Sequence, residues 1–468
     1  MPLEFVKSQR GKDLLVHGGF IYKKDREGKE KMIWRCNEIK NCPGRAHTMQ
    51  GDIIKSIDHN HVPDVAKIEA KKTINLIKEY ATTTVTTTRA ILGETSAQLP
   101  CAVVGQLPNI KCLKKTIQRS RKMVEASPAN PQSYNFEIPN KFQITLDSEQ
   151  FLLFDSGDNG NYDDRILLFS TEKSLNVLRN SDHWFSDGTF SSCPNLFGQL
   201  YTIHAVYSGE IIPLVYVLLP DKKEVTYNKM FQALKSLKFD LCPKSFTTDF
   251  EKAAMNSIKI EFPSTEIHGC FFHFSQAVWR KIQNYGLTTK YIEDVNFALQ
   301  VRKLIALAFI PIDKVVNYFE VLLESDFYME NENMLTPLIT YFETTWIGIL
   351  DRRGRRRKPQ YPIEIWNCSE RLESDLPRTN NSIEGWHNAF SALINCKKPV
   401  IWKFISALQR DESLTKVIKE QLIAGYAPTK KKKYKDSSKR LIQICTNASD
   451  FTIDEVLQGI AHNLKFYK

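Results

Sequence analysis

From Asp182 to Gln283 the hydrophobic period of the chain switches in an order that points to the α/β class. DHWFSDGTF, LYTIHAVYS and EIIPLVYVLLP read as three successive strands, and VTYNKMFQALKSL as a helix. KSFTTDF then reads as a buried strand, EKAAMNSI as a helix, and STEIHGCFF as a last strand before the helical FSQAVWRKIQ. Two acidic residues stand at informative points of this β-β-β-α-β-α-β pattern. Asp187 and Asp249 each follow a short apolar or β-rich run, which puts both carboxylates at strand ends. A third, Glu384 in RTNNSIEGWHNAF, opens a stretch of helical character. A strand-end Asp alone is more often a turn former or helix cap. Three together can converge to hold two hard cations at the spacing used for in-line phosphoryl transfer.

These segments carry a resemblance. DGTF, CPNLFGQLYTIHAV, TDFEKAAMNS, GCFFHFSQAVWRKI and TNNSIEGWHNAF, in that order over roughly residues 180–395, resemble the transposase domain of Mutator-like elements. The resemblance implies an RNase H-like mixed sheet and a D-D-E triad falling on Asp187, Asp249 and Glu384. It implies Mg²⁺ or Mn²⁺ at those three residues, and DNA strand cleavage and joining in the nucleus. The partners it implies are double-stranded DNA at element ends and target, with a homo-oligomer assembled on that DNA. Cys270 and His273 form a C-x2-H pair that the family also has before a helical insertion, as possible supporting residues rather than a metal site. A catalytically silent DNA-binding regulator is the competing expectation, and a nuclease on the same fold a weaker third, because fold alone does not fix substrate.

The N-terminal sixty residues read as short strands, LLVHGGFIYKK, KMIWRC and DIIKSIDHNH, with few large apolar side chains. Such a block forms a small core and gains from a metal staple. Cys36 and Cys42 are a C-x5-C pair, followed after a strand-length gap by His59 and His61. Two thiolates and two imidazoles suit a closed tetrahedral zinc site. The segment also resembles the FLYWCH-type zinc finger, whose aromatic and aliphatic positions appear here as Leu14, Phe20 or Tyr22, and Trp34. The resemblance implies the same four Zn²⁺ ligands and a role in binding DNA or protein.

Charge is unevenly distributed. The net +11 resolves into +10 over residues 1–125, −9 over 126–350, +11 over 351–440 and −1 beyond. Basic flanks around an acidic middle suit phosphate neutralisation outside and cation concentration within. The longest apolar run, residues 211–219, is interrupted by Pro213 and too short to span a bilayer. No membrane partner is expected, and the N-terminus lacks the apolar stretch of a secretory signal. Ten scattered cysteines suggest a reducing compartment rather than a disulfide framework.

The expected organisation is a finger at 1–65, a basic helical DNA-binding or connector segment at 66–125 and a linker at 126–137. The transposase-like domain follows at 138–400, with an all-α insertion at about 288–370, and a helical region with a basic run at 401–468. Strands are expected in FQITLDSEQFLLF and DRILLFST. Trp279, Arg280 and Lys281 are candidates for DNA contact or core. Asn380, Asn381 and Asn388 flank Glu384 and could fix its loop or touch phosphate. The runs Arg352–Lys358 and Lys430–Lys435 are expected to be exposed, as a phosphate-contacting strip or a nuclear localisation signal.

Overall fold

The computed structural model describes residues 3–8, 11–28, 30–84, 86–125, 128–157, 164–374, 376–379, 381–426 and 432–466. The chain divides into two compact units, residues 1–129 and 130–468.

The first unit begins with an antiparallel meander in sequence order. Its strands are β1 (Glu4–Lys7), β2 (Asp13–His17), β3 (Phe20–Glu27), β4 (Met32–Cys36), β5 (Arg45–Met49) and β6 (Asp52–Ile57). β1 and β5 are additions to the sequence reading: EFVK and RAHTM are too short and polar to stand out. Alternation sends Leu14, with Val6 and Ile21, to one face, and Leu15, with Tyr22, Trp34 and Ala46, to the other. Each cluster is only a few side chains, so the meander has little apolar burial to hold it. Helix α1 (Val65–Thr83), capped by Asp64, covers the first face with Ile68. α2 (Thr88–Ser96), α3 (Cys101–Val104) and α4 (Ile110–Glu125) follow, and Ile77, Ala81, Ile91, Leu113 and Ile117 form a core among α1, α2 and α4.

The second unit is built on seven strands: β7 (Leu152–Asp155), β8 (Leu167–Phe169), β9 (His183–Thr189), β10 (Gln199–Tyr207), β11 (Glu210–Leu219), β12 (Ser245–Thr248) and β13 (Glu266–Gly269). Their order is β13-β12-β9-β10-β11-β8-β7. β9, β12 and β13 are parallel, whereas every pairing from β9 through β10, β11 and β8 to β7 is antiparallel. α5 (Glu172–Arg179) precedes β9, α6 (Glu224–Leu237) and α7 (Lys252–Glu261) flank β12, and α8 (Phe271–Asn284) follows β13. The β-β-β-α-β-α-β order is the one the sequence predicts. Upstream, the expected strand in FQITLDSEQFLLF is mostly absent. Residues 140–142 form a 3-10 turn, Ser148 takes a positive φ of 69° in a tight reversal closed by a single antiparallel bridge between Ile144 and Gln150, and the regular strand is confined to Leu152–Asp155.

Both faces of the sheet are covered, so β11 is buried almost end to end rather than alternately. Val215, Val217 and Leu219 face α6 and α7, and Tyr216 and Leu218 face α16 (Asn381–Ile394) and α17 (Ile401–Ile423). Before α16 come the insertion helices α9 (Thr288–Glu293), α10 (Val295–Ala306), α11 (Val315–Leu323), α12 (Asp326–Glu330), α13 (Glu332–Phe342), α14 (Ile363–Trp366) and α15 (Ser369–Glu373). With α8, α18 (Lys432–Thr446) and α19 (Ile453–His462) they share a separate helical core around Phe274, Trp346 and Trp366. Among the described residues no helix is long and apolar enough to cross a membrane.

One polar contact fixes α16 on the sheet. The buried carboxylate of Asp411 on α17 accepts from Trp386 Nε1 on α16 at 2.9 Å and from Tyr216 Oη on β11 at 2.7 Å. Asp411→Ala strands two donors and should destabilise the protein by about 2–4 kcal/mol in denaturant unfolding. Asp411→Asn keeps an acceptor oxygen and should cost less.

Candidate metal centres

The Cys/His quartet gathers at the end of the meander. Cys36 closes β4, Cys42 lies in the β4–β5 turn, and His59 and His61 follow β6. Their ligand atoms all lie within 4.8 Å of one another. Cys36 Sγ is 3.3 Å from His61 Nε2, Cys42 Sγ is 3.3 Å from His59 Nδ1, and the two nitrogens are 3.2 Å apart. With Zn–S of about 2.3 Å and Zn–N of about 2.0–2.1 Å, a tetrahedron has S···N and N···N edges of about 3.3–3.6 Å. The quartet therefore fits a structural zinc ion.

The surroundings orient each ligand. Tyr22 Oη lies 2.8 Å from the remaining His59 nitrogen, and His61 Nδ1 is 3.1 Å from the carbonyl of Val62. The amides of Glu38 and Gly44 donate to the sulfurs of Cys36 and Cys42. Such partners fix ring orientation and soften thiolate charge. Phe20 stacks on His59 with centroids 3.6 Å apart, while Gly44 passes so close that a methyl group there would sit 2.5 Å from the same ring. The sequence marked the four ligands and named Phe20 and Tyr22 among the aromatic positions; the place of Gly44 is visible only in the fold.

The acidic residues lie in the second unit. Asp187 is the fifth residue of β9, within the strand body rather than at its end, and is buried. Asp249 directly follows β12, the parallel neighbour of β9. Glu384 is in the first turn of α16. Asp187 and Glu384 line one cleft of about 370 Å³ with Gly188, Thr189, Ser191, Phe272, His273, Gln276, His387, Asn388 and Ser391. Asp249 is not among its lining residues. Burial, together with the negative charge of Asp187, raises Glu384 to about 7. Burial, then Asp187, then Glu251 raises Asp249 to about 6. Asp187 thus sits electrostatically between the other two. The three carboxylates are not drawn into a tight ligand cluster as the Cys/His quartet is; among the described residues that quartet is the group so gathered.

Asp187 is oriented by its surroundings. Gly188 N donates to its Oδ1 at 2.8 Å, and His387 Nε2 lies 3.4 Å from its Oδ2. His387 was missed in the sequence, although it stands three residues after Glu384, on the same helical face. Glu251, which accepts from Tyr227 Oη and pairs with Lys222 at 2.6 Å, was also missed. The C-x2-H pair splits: Cys270 is fully buried at the start of α8, whereas His273 faces the cleft. Burial lowers the pKa of His273, and the charge of Asp187 opposes that shift.

Other expectations resolve variously. Trp279 is a core residue, stacked on Phe466 with centroids 5.6 Å apart, while Arg280 is exposed and Lys281 lies near the Tyr341 ring. Asn381 is exposed in the first turn of α16, Asn388 lines the cleft, and Asn380 lies outside the described residues. The run 352–358 is not uniformly exposed: Arg356 is drawn inward by Glu320 and Glu343 at 2.8 and 3.1 Å, and Arg355 closes on Asp351. Lys430 and Lys431 lie outside the described residues, as do residues 126 and 127 of the expected linker.

Residues 5–62 match the FLYWCH zinc finger domain, and residues 183–277 match the MULE transposase domain. The second match includes Asp187, Asp249, Cys270 and His273 and ends before Glu384. The FLYWCH-type zinc finger-containing protein 1 of Mus musculus is 37% identical over 73 residues, 15% of this chain and 11% of the relative. Its Homo sapiens counterpart is 38% identical over 71 residues, 15% and 10% of the two chains. The chain spans about a tenth of the length of these relatives.

Two outcomes are expected. Tyr22→Phe removes the partner of His59 and should weaken zinc binding by about 10–100-fold in a chelator competition. Glu384→Gln should change the pH dependence of stability. The native carboxyl holds its proton to a higher pH than the unfolded one, so its stabilising effect is present in acid and lost as pH rises through about 7. Without divalent metal, the Gln variant should melt above the wild type at pH 8, with the gap closing towards pH 4.

Proposed function

We propose that this chain is a transposase-type protein that binds DNA through its N-terminal finger and cuts and joins DNA strands at a D-D-E centre. Asp187, Asp249 and Glu384 are the carboxylates of that centre in this reading. The observation that carries it is that Asp187 on β9 and Glu384 on α16 line one cleft while Asp249 follows β12, the parallel neighbour of β9, in the unit that holds the MULE match. The strand order β11-β10-β9-β12-β13, antiparallel on one side of β9 and parallel on the other, supports an RNase H-like reading of the sheet.

The donor set suits hard cations: of three carboxylates, Glu384 and Asp249 are raised first by burial and then by the charge of Asp187, and both gain ionisation when a Mg²⁺ or Mn²⁺ ion neutralises them. Bound divalent cations would supply activation of the attacking oxygen and stabilisation of the leaving oxygen. The chain's own residues orient and ionise. Gly188 N donates to Asp187 and His387 Nε2 lies 3.4 Å from it, and the clamp of Trp386 on Asp411 ties the first turns of α16 to the sheet. Because Glu384 and Asp249 are raised, the fully ionised centre forms only as pH rises past about 6 to 7. The protein works in the nucleus on double-stranded DNA, as a homo-oligomer assembled on that DNA.

A second reading, DNA binding without cleavage, draws on the absence of Asp249 from the cleft lining. Duplex DNA carrying the terminal repeats of the chain's own locus separates the two. The wild type should nick or join it only with Mg²⁺ or Mn²⁺, and Asp187→Asn should lose that activity while retaining DNA affinity. A wild type that binds and never cleaves favours the second reading. Cleavage undiminished by Asp187→Asn removes the proposed centre.

A further inference from the structure

We infer that the outward face of α4 is a second docking surface for duplex DNA, separate from the zinc-stapled meander. Between Glu94 and Glu125 the chain has no acidic residue and six basic ones. Helical spacing segregates them. Leu113 and Ile117 enter the core with α1 and α2, while Lys111, Lys114, Lys115 and Arg119 recur at three- and four-residue steps on the exposed side. A fifth cation, Arg121, is spent inside the fold, with its Nε donating to the carbonyl of Ala81 at 3.3 Å and its Nη2 to that of Thr86. Among the described residues none of the four exposed cations is paired with a carboxylate.

The position of these charges costs folding energy. Lys111, Lys114 and Lys115 crowd the first turns of α4, whose first turn has no acidic residue. Cations at that end oppose the helix dipole by about 0.3–1 kcal/mol each at low ionic strength. A free solvated face has no use for that arrangement, whereas a polyanion laid against it removes the repulsion. The shape narrows the partner. Sixteen residues make a rod about 24 Å long, and a helix about 10–12 Å across enters the roughly 12 Å major groove of B-DNA but not the deep, narrow groove of duplex RNA. Ile110, 65% exposed at the tip of the helix, and Gln118 beside the lysines offer an apolar and an amide contact to base edges.

This surface rests on the reading of the chain as DNA-binding and is independent of strand cleavage, so the test omits divalent metal. The full chain carrying Lys111→Gln, Lys114→Gln, Lys115→Gln and Arg119→Gln is titrated against duplex DNA at several salt concentrations. A second chain loses four exposed cations elsewhere, by Lys229→Gln, Lys259→Gln, Lys290→Gln and Lys314→Gln. The α4 variant should lose about 3–4 from the slope of log affinity against log salt, and roughly 10²-fold in affinity near 0.1 M salt. Its zinc content should be unchanged, and its melting temperature should rise slightly as the repulsion at the helix start is removed. Wild-type affinity in the α4 variant overturns the surface while leaving DNA binding through the finger intact. Equal losses in the two variants trace the effect to net charge and also overturn it. A duplex RNA of equal length that outcompetes the DNA overturns the choice of partner, and no binding by the wild type removes both this surface and the DNA-binding reading beneath it.

Discussion

The second unit is organised around one buried carboxylate that is not itself a candidate for chemistry. Asp411 joins α17 to α16 through Trp386 and to β11 through Tyr216. Burial raises its pKa, and the hydrogen bonds from Tyr216 and Trp386 act against that shift. Trp386 also stacks on Phe390 and meets the edge of His204, so the helix is held by both packing and polarity. Glu384 and His387, which line the cleft, lie within one turn of Trp386. The Asp411 contact ties the first turns of α16 to α17 and β11, beside the cleft that Asp187 and Glu384 line.

The two candidate metal centres solve opposite problems. The finger has too few apolar side chains to hold six strands, so four soft ligands with their own hydrogen-bond partners supply the missing order. Its ligands already stand at the spacing a zinc tetrahedron needs. The acidic cleft sits in a unit with ample apolar burial, and there burial, then the charge of Asp187, raises the proton affinity of Glu384 and Asp249. A site that is unfavourable alone and relieved by a cation is suited to holding charge that changes during a reaction.

Much of this was legible because local pattern and burial agree. The period changes from Asp182 onward locate β9 to α8 closely, since both faces of the sheet are covered and its strands are correspondingly apolar. The Cys and His pairs were legible because few other residue types bind zinc. β1 and β5 were not: short, polar strands take their order from neighbours rather than from their own pattern. The expected strand after Phe142 failed because a tight reversal at Ser148 overrides its alternation. Arg356 was expected to be exposed with its neighbours, yet Glu320 and Glu343, distant in sequence, draw it in.

By itself the sequence determined the α/β order of the core and the four residues of the Cys/His quartet, and it marked three candidate acids, because periodicity, ligand chemistry and motif context are local properties. The tertiary structure alone decided which groups meet. It brought Asp187 and Glu384 into one cleft across about two hundred residues, set His387 against Asp187, and separated Cys270 from His273 by burying one and exposing the other to the cleft. Such pairings depend on how helices cross a sheet, and that is fixed by packing between segments with no sequence signal for one another.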